Sequence, residues 1–335
     1  MIRPMILINN ENQTKPSLNL ALEEYALLNL DLSQEHLLFY INEPAVIIGK
    51  HQNTHEEINH DYIQQNHIQV IRRVSGGGTV YHDHGNLNFS FLTQVKGKAF
   101  NDYRTFTQPI IQALVALDIP AELTGRNDII VKDRKISGNA QYRRAERMFC
   151  HGTLLFNTDL NNVVAALNVK PDKIQSKGIK SIRSRVANIS EFLIQPMTVA
   201  EFKQHLINTI FIDKPKKIHH FSDLDWQAIE KLAKEKYENW DWNYGKSPEF
   251  NFQNRSRFNI GEIDIRFNVK NSRVAAVKIY GDFFAQEDIS GLETLLLNLP
   301  YEPNAFSEAL ATVNLHNYFG FLTVAEFLTL CFPNN

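Results

Sequence analysis

The sequence predicts an α+β protein: a catalytic-sized unit built on a mixed sheet, followed by a small α+β C-terminal unit. Three observations carry that expectation. Short β-like runs interleave with amphipathic helical stretches, but not in the regular alternation of a doubly wound parallel sheet. Residues 258–269 and 273–280 alternate like an antiparallel pair joined at Lys270-Asn271-Ser272, and helical stretches of their own follow. The chain has 335 residues, long for a single core. The aromatic, polar segment 239–254, with Trp240, Trp242, Tyr244, Gly245 and Pro248, reads as the boundary, giving units 1–245 and 246–335.

The elements follow in order. Residues 18–30 have helical periodicity, with Ser17 as N-cap and Glu23 and Glu24 on the polar face. Residues 37–41 and 45–48 are apolar runs split by Asn42-Glu43-Pro44, a strand–turn–strand pattern. Asn53 or Thr54 can cap a helix reaching about Asn66. The run 68–74 delivers the chain into Ser75-Gly76-Gly77-Gly78, and the run 79–92 carries it away. A helix over 103–117 lines up Phe106, Ile110, Leu114 and Leu117, and Pro120 ends it. Residues 129–131 and 135–140 flank the charged turn Lys132-Asp133-Arg134 as a hairpin, and 149–156 is another strand. Helices are expected over 199–211 and 223–237. Further helices around 291–297, 306–311 and 324–331 would cover the C-terminal strand pair.

Composition narrows the function classes. Hydrophobic residues make up 43% and charged residues 21%, as in an ordinary soluble protein. A net charge of −2 gives no global basis for binding nucleic acid. Cys150 and Cys331 are the only cysteines, too few for a disulfide framework or a zinc ribbon. No apolar run reaches membrane-spanning length, and the N-terminus lacks a signal-peptide core. A cytoplasmic protein with no membrane partner is the expectation.

Three consecutive glycines cost backbone entropy and contribute nothing to a core. A Gly-rich bend between strands lets backbone N–H groups approach a ligand, as phosphate-cradling loops do; a hairpin tip is the plainer reading. Strand alternation puts Arg72 and Arg73 on opposite faces, so Arg73 is the phosphate candidate and Arg72 a structural ion-pair partner. His55 and His60 mimic a metalloprotease helix, but the second histidine comes one residue late. On a continuous helix the two rings would turn apart.

The full string Arg72-Arg73-Val74-Ser75-Gly76-Gly77-Gly78-Thr79-Val80-Tyr81-His82-Asp83-His84-Gly85-Asn86 resembles the lipoate–protein ligase family. So do Gly125-Arg126-Asn127-Asp128-Ile129 with Arg134-Lys135-Ile136-Ser137-Gly138-Asn139-Ala140, the segment His151-Gly152-Thr153-Leu154-Leu155, and the stretch from Lys177 to Asn188. The four motifs stand in the family's order over most of residues 17–190, and the tail is similar to the accessory domain of longer members. The resemblance implies a biotin/lipoate ligase-like fold and ATP-dependent attachment of lipoate, through lipoyl-AMP, to a lysine of lipoyl domains. Those acceptors would be acyltransferase subunits of 2-oxoacid dehydrogenases and the glycine cleavage H protein, with the enzyme acting as a monomer.

It also implies roles. Lys135 matches the catalytic lysine and would touch the α-phosphate and the acyl carbonyl. Arg73, Gly78, Thr79, Val80, Tyr81 and Asp128 would line ATP, with Asp128 also a candidate for Mg²⁺. Ser75, Gly76, Gly77, His82, Gly138 and His151 would line lipoate, although His82 and His151 could equally satisfy buried carbonyls. The basic residues Lys170, Lys173, Lys177, Lys180, Arg183 and Arg185 would serve the adenylate and an acidic partner. The alternative is a transferase of octanoyl or lipoyl groups that works without ATP through Cys150. Against it, Cys150 and His151 alternate on a strand and point oppositely, which favours a buried structural thiol.

Overall fold

Among the described residues, eleven short strands build the first part of the molecule: Met5–Ile8 (β1), Glu35–Ile41 (β2), Ala45–Ile48 (β3), Gln69–Arg72 (β4), Val80–His82 (β5), Asn86–Gln94 (β6), Glu122–Thr124 (β7), Asp128–Val131 (β8), Arg134–Arg144 (β9), Arg147–Leu155 (β10) and Lys217–His219 (β11). The computed structural model describes residues 5–95, 101–125, 127–167, 185–212, 215–244 and 250–333. The larger sheet runs β11-β1-β2-β6-β10-β9-β8-β7. β1 lies parallel to both of its neighbours, and the other pairs are antiparallel, so the sheet is mixed. A smaller sheet, β4-β3-β5, has one parallel and one antiparallel pair. The corner Asn42-Glu43-Pro44 therefore does not close a hairpin; it carries the chain from one sheet to the other.

Helix Pro16–Asn29 starts two residues before its expected first turn. Lys15 occupies the N-cap without a side-chain bond, and Pro16 supplies the preset φ of a first turn. Ser17 donates to Glu238 Oε1 instead of capping (2.9 Å). Glu23 and Glu24 do not form a solvated face: both are buried. Lys236 Nζ and Tyr237 Oη bond the Glu24 carboxylate at 2.8 and 2.6 Å. The helix expected up to Asn66 is broken into Thr54–Glu57 and His60–Gln65. Between them Ile58 is fully buried and bridges Leu167, while Asn59 caps the second piece by accepting from Tyr62 N. The break stacks the His55 and His60 rings at 5.1 Å, so the expected divergence of these rings is wrong.

Helices Tyr103–Val115 and Val199–Ile210 pack together on the large sheet, burying Phe106, Ile110, Leu114, Phe202 and Leu206. Helix Asp223–Leu232, continued by one wide turn over Ala233–Tyr237, packs on Pro16–Asn29. The aromatic segment read as a boundary is docked at its start. Asn243 Oδ1 accepts from Arg72 N at 2.9 Å, and Trp242 Nε1 donates to Arg72 O at 2.8 Å. Gly245 and Pro248 lie outside the described residues.

The C-terminal part is an antiparallel sheet of Phe252–Phe258 (β12), Gly261–Lys270 (β13) and Arg273–Gly281 (β14). Helices Ile289–Leu296, Pro303–Leu310, His316–Phe319 and Val324–Cys331 complete it. β12 escapes a reading by pattern because its sequence, Phe-Gln-Asn-Arg-Ser-Arg-Phe, offers few apolar residues to alternate. Ile263, Ile265, Phe267, Leu292, Phe306 and Phe327 form a core of its own. The adjacent residues Phe283 and Phe284 part company: Phe283 stays in that core, and Phe284 enters the larger one. No described helix is long and apolar enough to cross a membrane.

Candidate active site

The glycine loop between β4 and β5 is shaped by Arg73. Its guanidinium is buried and donates from Nε to Ser75 Oγ (3.0 Å), from Nη1 to Ile47 O (3.1 Å) and from Nη2 to Gly76 O and Gly78 O (both 2.7 Å). Burial lowers the Arg73 pKa to about 10, which leaves it charged at neutral pH. Arg73 thus organises the loop carbonyls. Arg72, expected in an ion pair, instead donates to the carbonyls of Gly49, Lys50, Gln52, Trp242 and Asn243 and to Thr54 Oγ1. At Gly77 φ is +91°, a region that favours glycine. A Cβ on Gly49 would lie 1.8 Å from Gly77 O, so the loop needs glycine on both sides of that approach.

Across the cavity stands the β8–β9 hairpin. Its turn residues Lys132 and Asp133 adopt positive φ. The register slips between Ile129–Ser137 and Ile130–Lys135, leaving Ile136 buried in the bulge. Such a bulge re-aims the neighbouring side chain. Lys135 runs back over Gly138, where a Cβ would meet Nζ at 3.0 Å, and its Nζ reaches Asp128 Oδ1 at 2.8 Å. The backbone of Lys135 is clamped by Arg185 O and Ala187 N, at 2.7 and 2.9 Å. The basic residues 170–183 of that stretch lie outside the described residues.

Between loop and hairpin opens a cavity, partly open to solvent. Of the predicted residues, Arg73, Gly77, Gly78, Thr79, Val80, His82, Lys135, Gly138 and His151 line it. Four others stand elsewhere. Tyr81 points to the opposite face of β5, packed in the cluster of Val46, Ile58 and Ile63. A Cβ on Gly76 would lie 2.3 Å from Phe283 O, so this glycine faces the C-terminal part and not the cavity. Ser75 is buried behind His151, and Asp128 acts beside Lys135.

Sequence reasoning missed several lining or supporting groups. Asn127 and Asn139 stand inside quoted motifs without an assigned role, yet both line the cavity and tie β8 to β9. Thr153 lines it too, inside the His151–Leu155 motif but without an assigned role, as do Tyr40 and Asn88, with no motif to mark them. Glu23 was hidden by its helix periodicity. His151 Nδ1 lies 3.0 and 3.1 Å from the Glu23 carboxylate oxygens, and its Nε2 is 2.7 Å from Ser75 Oγ. The row Ser75–His151–Glu23 has the connectivity of a hydrolase triad. Ser75 is nonetheless 1% exposed, held by Arg73 and absent from the cavity wall, so it orients His151 and does not attack.

Residues 15–211 match the family profile described as the lipoyl protein ligase A/B catalytic domain, and residues 247–330 match the bacterial lipoate protein ligase C-terminus. The chain belongs to the lipoate–protein ligases. It is 51% identical over 333 residues to lipoate-protein ligase LplJ of Bacillus subtilis, covering 98% of this chain and 100% of that one. In three dimensions it resembles P. falciparum LipL1 in complex with lipoate, with TM-score 0.77, 28% identity and coverage of 93% and 95% of the two chains. It also resembles lipoate-protein ligase A bound with ATP, with TM-score 0.60, 28% identity and coverage of 73% and 99%.

In this ligase the thiol of Cys150 is fully buried in the large core, and burial pushes its pKa well up. A thiol kept protonated and away from the cavity wall has no route to an acyl group. Among the described residues no three His, Cys, Asp or Glu side chains cluster as a metal site. Asp128 fits Mg²⁺ only if ATP phosphates and water supply the other oxygens, the usual arrangement for that ion.

Proposed function

We propose that this ligase uses ATP to convert lipoate into lipoyl-AMP and pyrophosphate, and then passes the lipoyl group to a lysine of a lipoyl domain. The observation that carries the reading is Lys135, a cation held at a cavity whose facing wall is the backbone of the glycine loop. Apolar Leu20, Ile47, Val80 and Ala140 share that cavity with polar Asn88, Asn127 and Asn139. Such a mixed lining suits a carboxylate with a long apolar tail.

A lipoate carboxylate oxygen attacks the α-phosphorus of ATP, and the bond to the pyrophosphate oxygen breaks. The acceptor lysine amine then attacks the acyl carbonyl carbon, loses a proton and expels AMP. Both steps concentrate negative charge on oxygen, and Lys135 supplies fixed positive charge there. Asp128 holds the ammonium in place, and the backbone N–H groups of Gly78 and Thr79 approach the phosphates. Mg²⁺, held by Asp128 with ATP, would neutralise the departing pyrophosphate. We take residues 1–245 and 246–335 as the two units, supported by the separate apolar core of the latter.

The test is pyrophosphate release from ATP and lipoate with no acceptor present. Release up to one equivalent per enzyme, then lipoyl transfer on adding a lipoyl domain, is expected. Lipoyl transfer from an acyl carrier without ATP, blocked by alkylating Cys150, would replace the ligase reading with the transferase.

A further inference from the structure

A row of buried side-chain amides runs from helix Pro16–Asn29 to the cavity wall. Asn10, Asn19, Asn42 and His82 are all at most 3% exposed. Their hydrogen bonds admit one assignment. Asn19 turns one end of its amide to the carbonyl oxygens of Gln13 (2.9 Å) and Ile41 (3.2 Å). Carbonyls only accept, so that end is the Nδ2 amide. The same nitrogen lies 2.9 Å from the Asn42 side chain, which must meet it with Oδ1. Asn19 Oδ1 accepts from Asn10 Nδ2 at 3.1 Å, and Asn10 is oriented in turn by Gln13 O at 3.0 Å. Asn42 is left with Nδ2 directed at His82 Nδ1, 3.0 Å away. An amide nitrogen donates, so Nδ1 carries no proton and the neutral ring holds its hydrogen on Nε2.

His82 lines the cavity, and its buried Nε2 has no hydrogen-bond partner among the described residues. A buried donor left in this state is rare unless a ligand completes it. Burial first, then the nearby charges of Arg73 and His151, hold the ring neutral with a pKa of about 3. A carboxylate can only accept, and four of the five N–H groups of Arg73 are already donated to Ser75, Ile47, Gly76 and Gly78.

We propose that Asn42 locks His82 in its Nε2–H form, so that a neutral imidazole donates to a carboxylate oxygen of the acyl substrate. The proposal rests on the ligase reading above. A neutral donor suits this chemistry because it fixes the oxygen while leaving the negative charge available for attack on phosphorus. An imidazolium would bind the carboxylate more tightly and blunt it as a nucleophile. His82 is then a substrate-binding residue and Asn42 a positioning residue that acts through it.

The test is long-range ¹⁵N–¹H correlation on the full-length ligase labelled with ¹⁵N-histidine. His82 should show the Nε2–H pattern without titrating between about pH 5 and 8, where an ordinary histidine does titrate. An Nδ1–H pattern, or titration in that window, overturns the assignment with no variant needed. Asn42→Asp replaces the donor with an acceptor and keeps the bond to Asn19. It should move the ring proton to Nδ1, aim a lone pair into the cavity and weaken lipoate binding roughly 10- to 100-fold by calorimetry. ATP affinity should be essentially unchanged. Asn42→Ala, which imposes neither form, should fall between the two. Wild-type lipoate affinity in a variant whose ring proton has moved would sink the proposal. A wild-type protein that shows the Nε2–H pattern but binds no lipoate would sink the ligase reading and leave the tautomer assignment standing.

Discussion

Lys135 reaches the cavity through a backbone bulge, contact with Gly138 and the carboxylate of Asp128. Lys135→Ala should leave the melting temperature nearly unchanged and slow lipoyl-AMP formation by two orders of magnitude or more, about 3 kcal/mol of transition-state stabilisation. Single-turnover adenylation measures it, and a near-normal rate would remove Lys135 from the chemistry. Cys150→Ser makes the opposite case. The serine hydroxyl inherits Gln141 as a hydrogen-bond partner, so a stability loss of no more than about 1–3 kcal/mol is expected, with adenylation retained. Collapse of activity in a folded variant would reopen the thioester route. Lys135 was legible because its neighbours form a dense local string. Glu23 and Asn42 were not, because their partners His151 and His82 come from strands far along the chain. Periodicity places Glu23 on a helix face but cannot say that the face is covered.

The three glycines, one string in the sequence, have separate jobs in the folded loop. Gly76 makes room for Phe283 O, Gly77 adopts positive φ, and a Cβ on Gly78 would meet nothing within 4 Å. Gly76→Ala must push the C-terminal part away and should cost about 1–3 kcal/mol, as overpacking does. Gly78→Ala should melt within about 1 °C of the wild type, since an open surface position stays within about 0.5 kcal/mol. Thermal melting of the pair decides it, and equal losses would show that the loop does not dock as described. That the glycine run borders a cavity could be expected from composition; that one of its members packs against protein could not. The helix over residues 54–66 failed for a related reason. Its pattern is continuous, but burial of Ile58 and its bridge to Leu167 outweigh local propensity.

At the scale of the molecule, two histidines sit neutral in the interior. His51, stacked on Phe283 at 4.8 Å, and His82 are both depressed to a pKa of about 3, chiefly by burial. Below about pH 6.5 the unfolded chain takes up protons that the folded one refuses. Stability is therefore complete above that pH and falls as the solution is acidified, by about 1.4 kcal/mol per pH unit for each histidine, until about pH 3. His51→Gln should remove one of these contributions and flatten the decline between pH 6.5 and 5, read from melting curves; an unaltered slope would exclude His51. Deleting residues 246–335 should lower the melting temperature and impair adenylation more than transfer from supplied lipoyl-AMP. Equal slowing of both steps would argue against a distinct role in activation. The two-part organisation was visible in the sequence, whereas the joint between the parts was not, because Phe283 and Phe284 carry no pattern that assigns them to different cores. Ion pairs also cross the joint, Lys50 to Asp288 at 2.7 Å and Glu56 to Arg266, but they are partly exposed and hold it weakly. Phe284 is the stronger tether. Any swing of the C-terminal part must draw that ring, 6.0 Å from Tyr103, out of the larger core, at about 2–3 kcal/mol of lost burial. The detached form of the resting enzyme is thus held to the order of a few per cent or less, a minor population from which a bound intermediate can select.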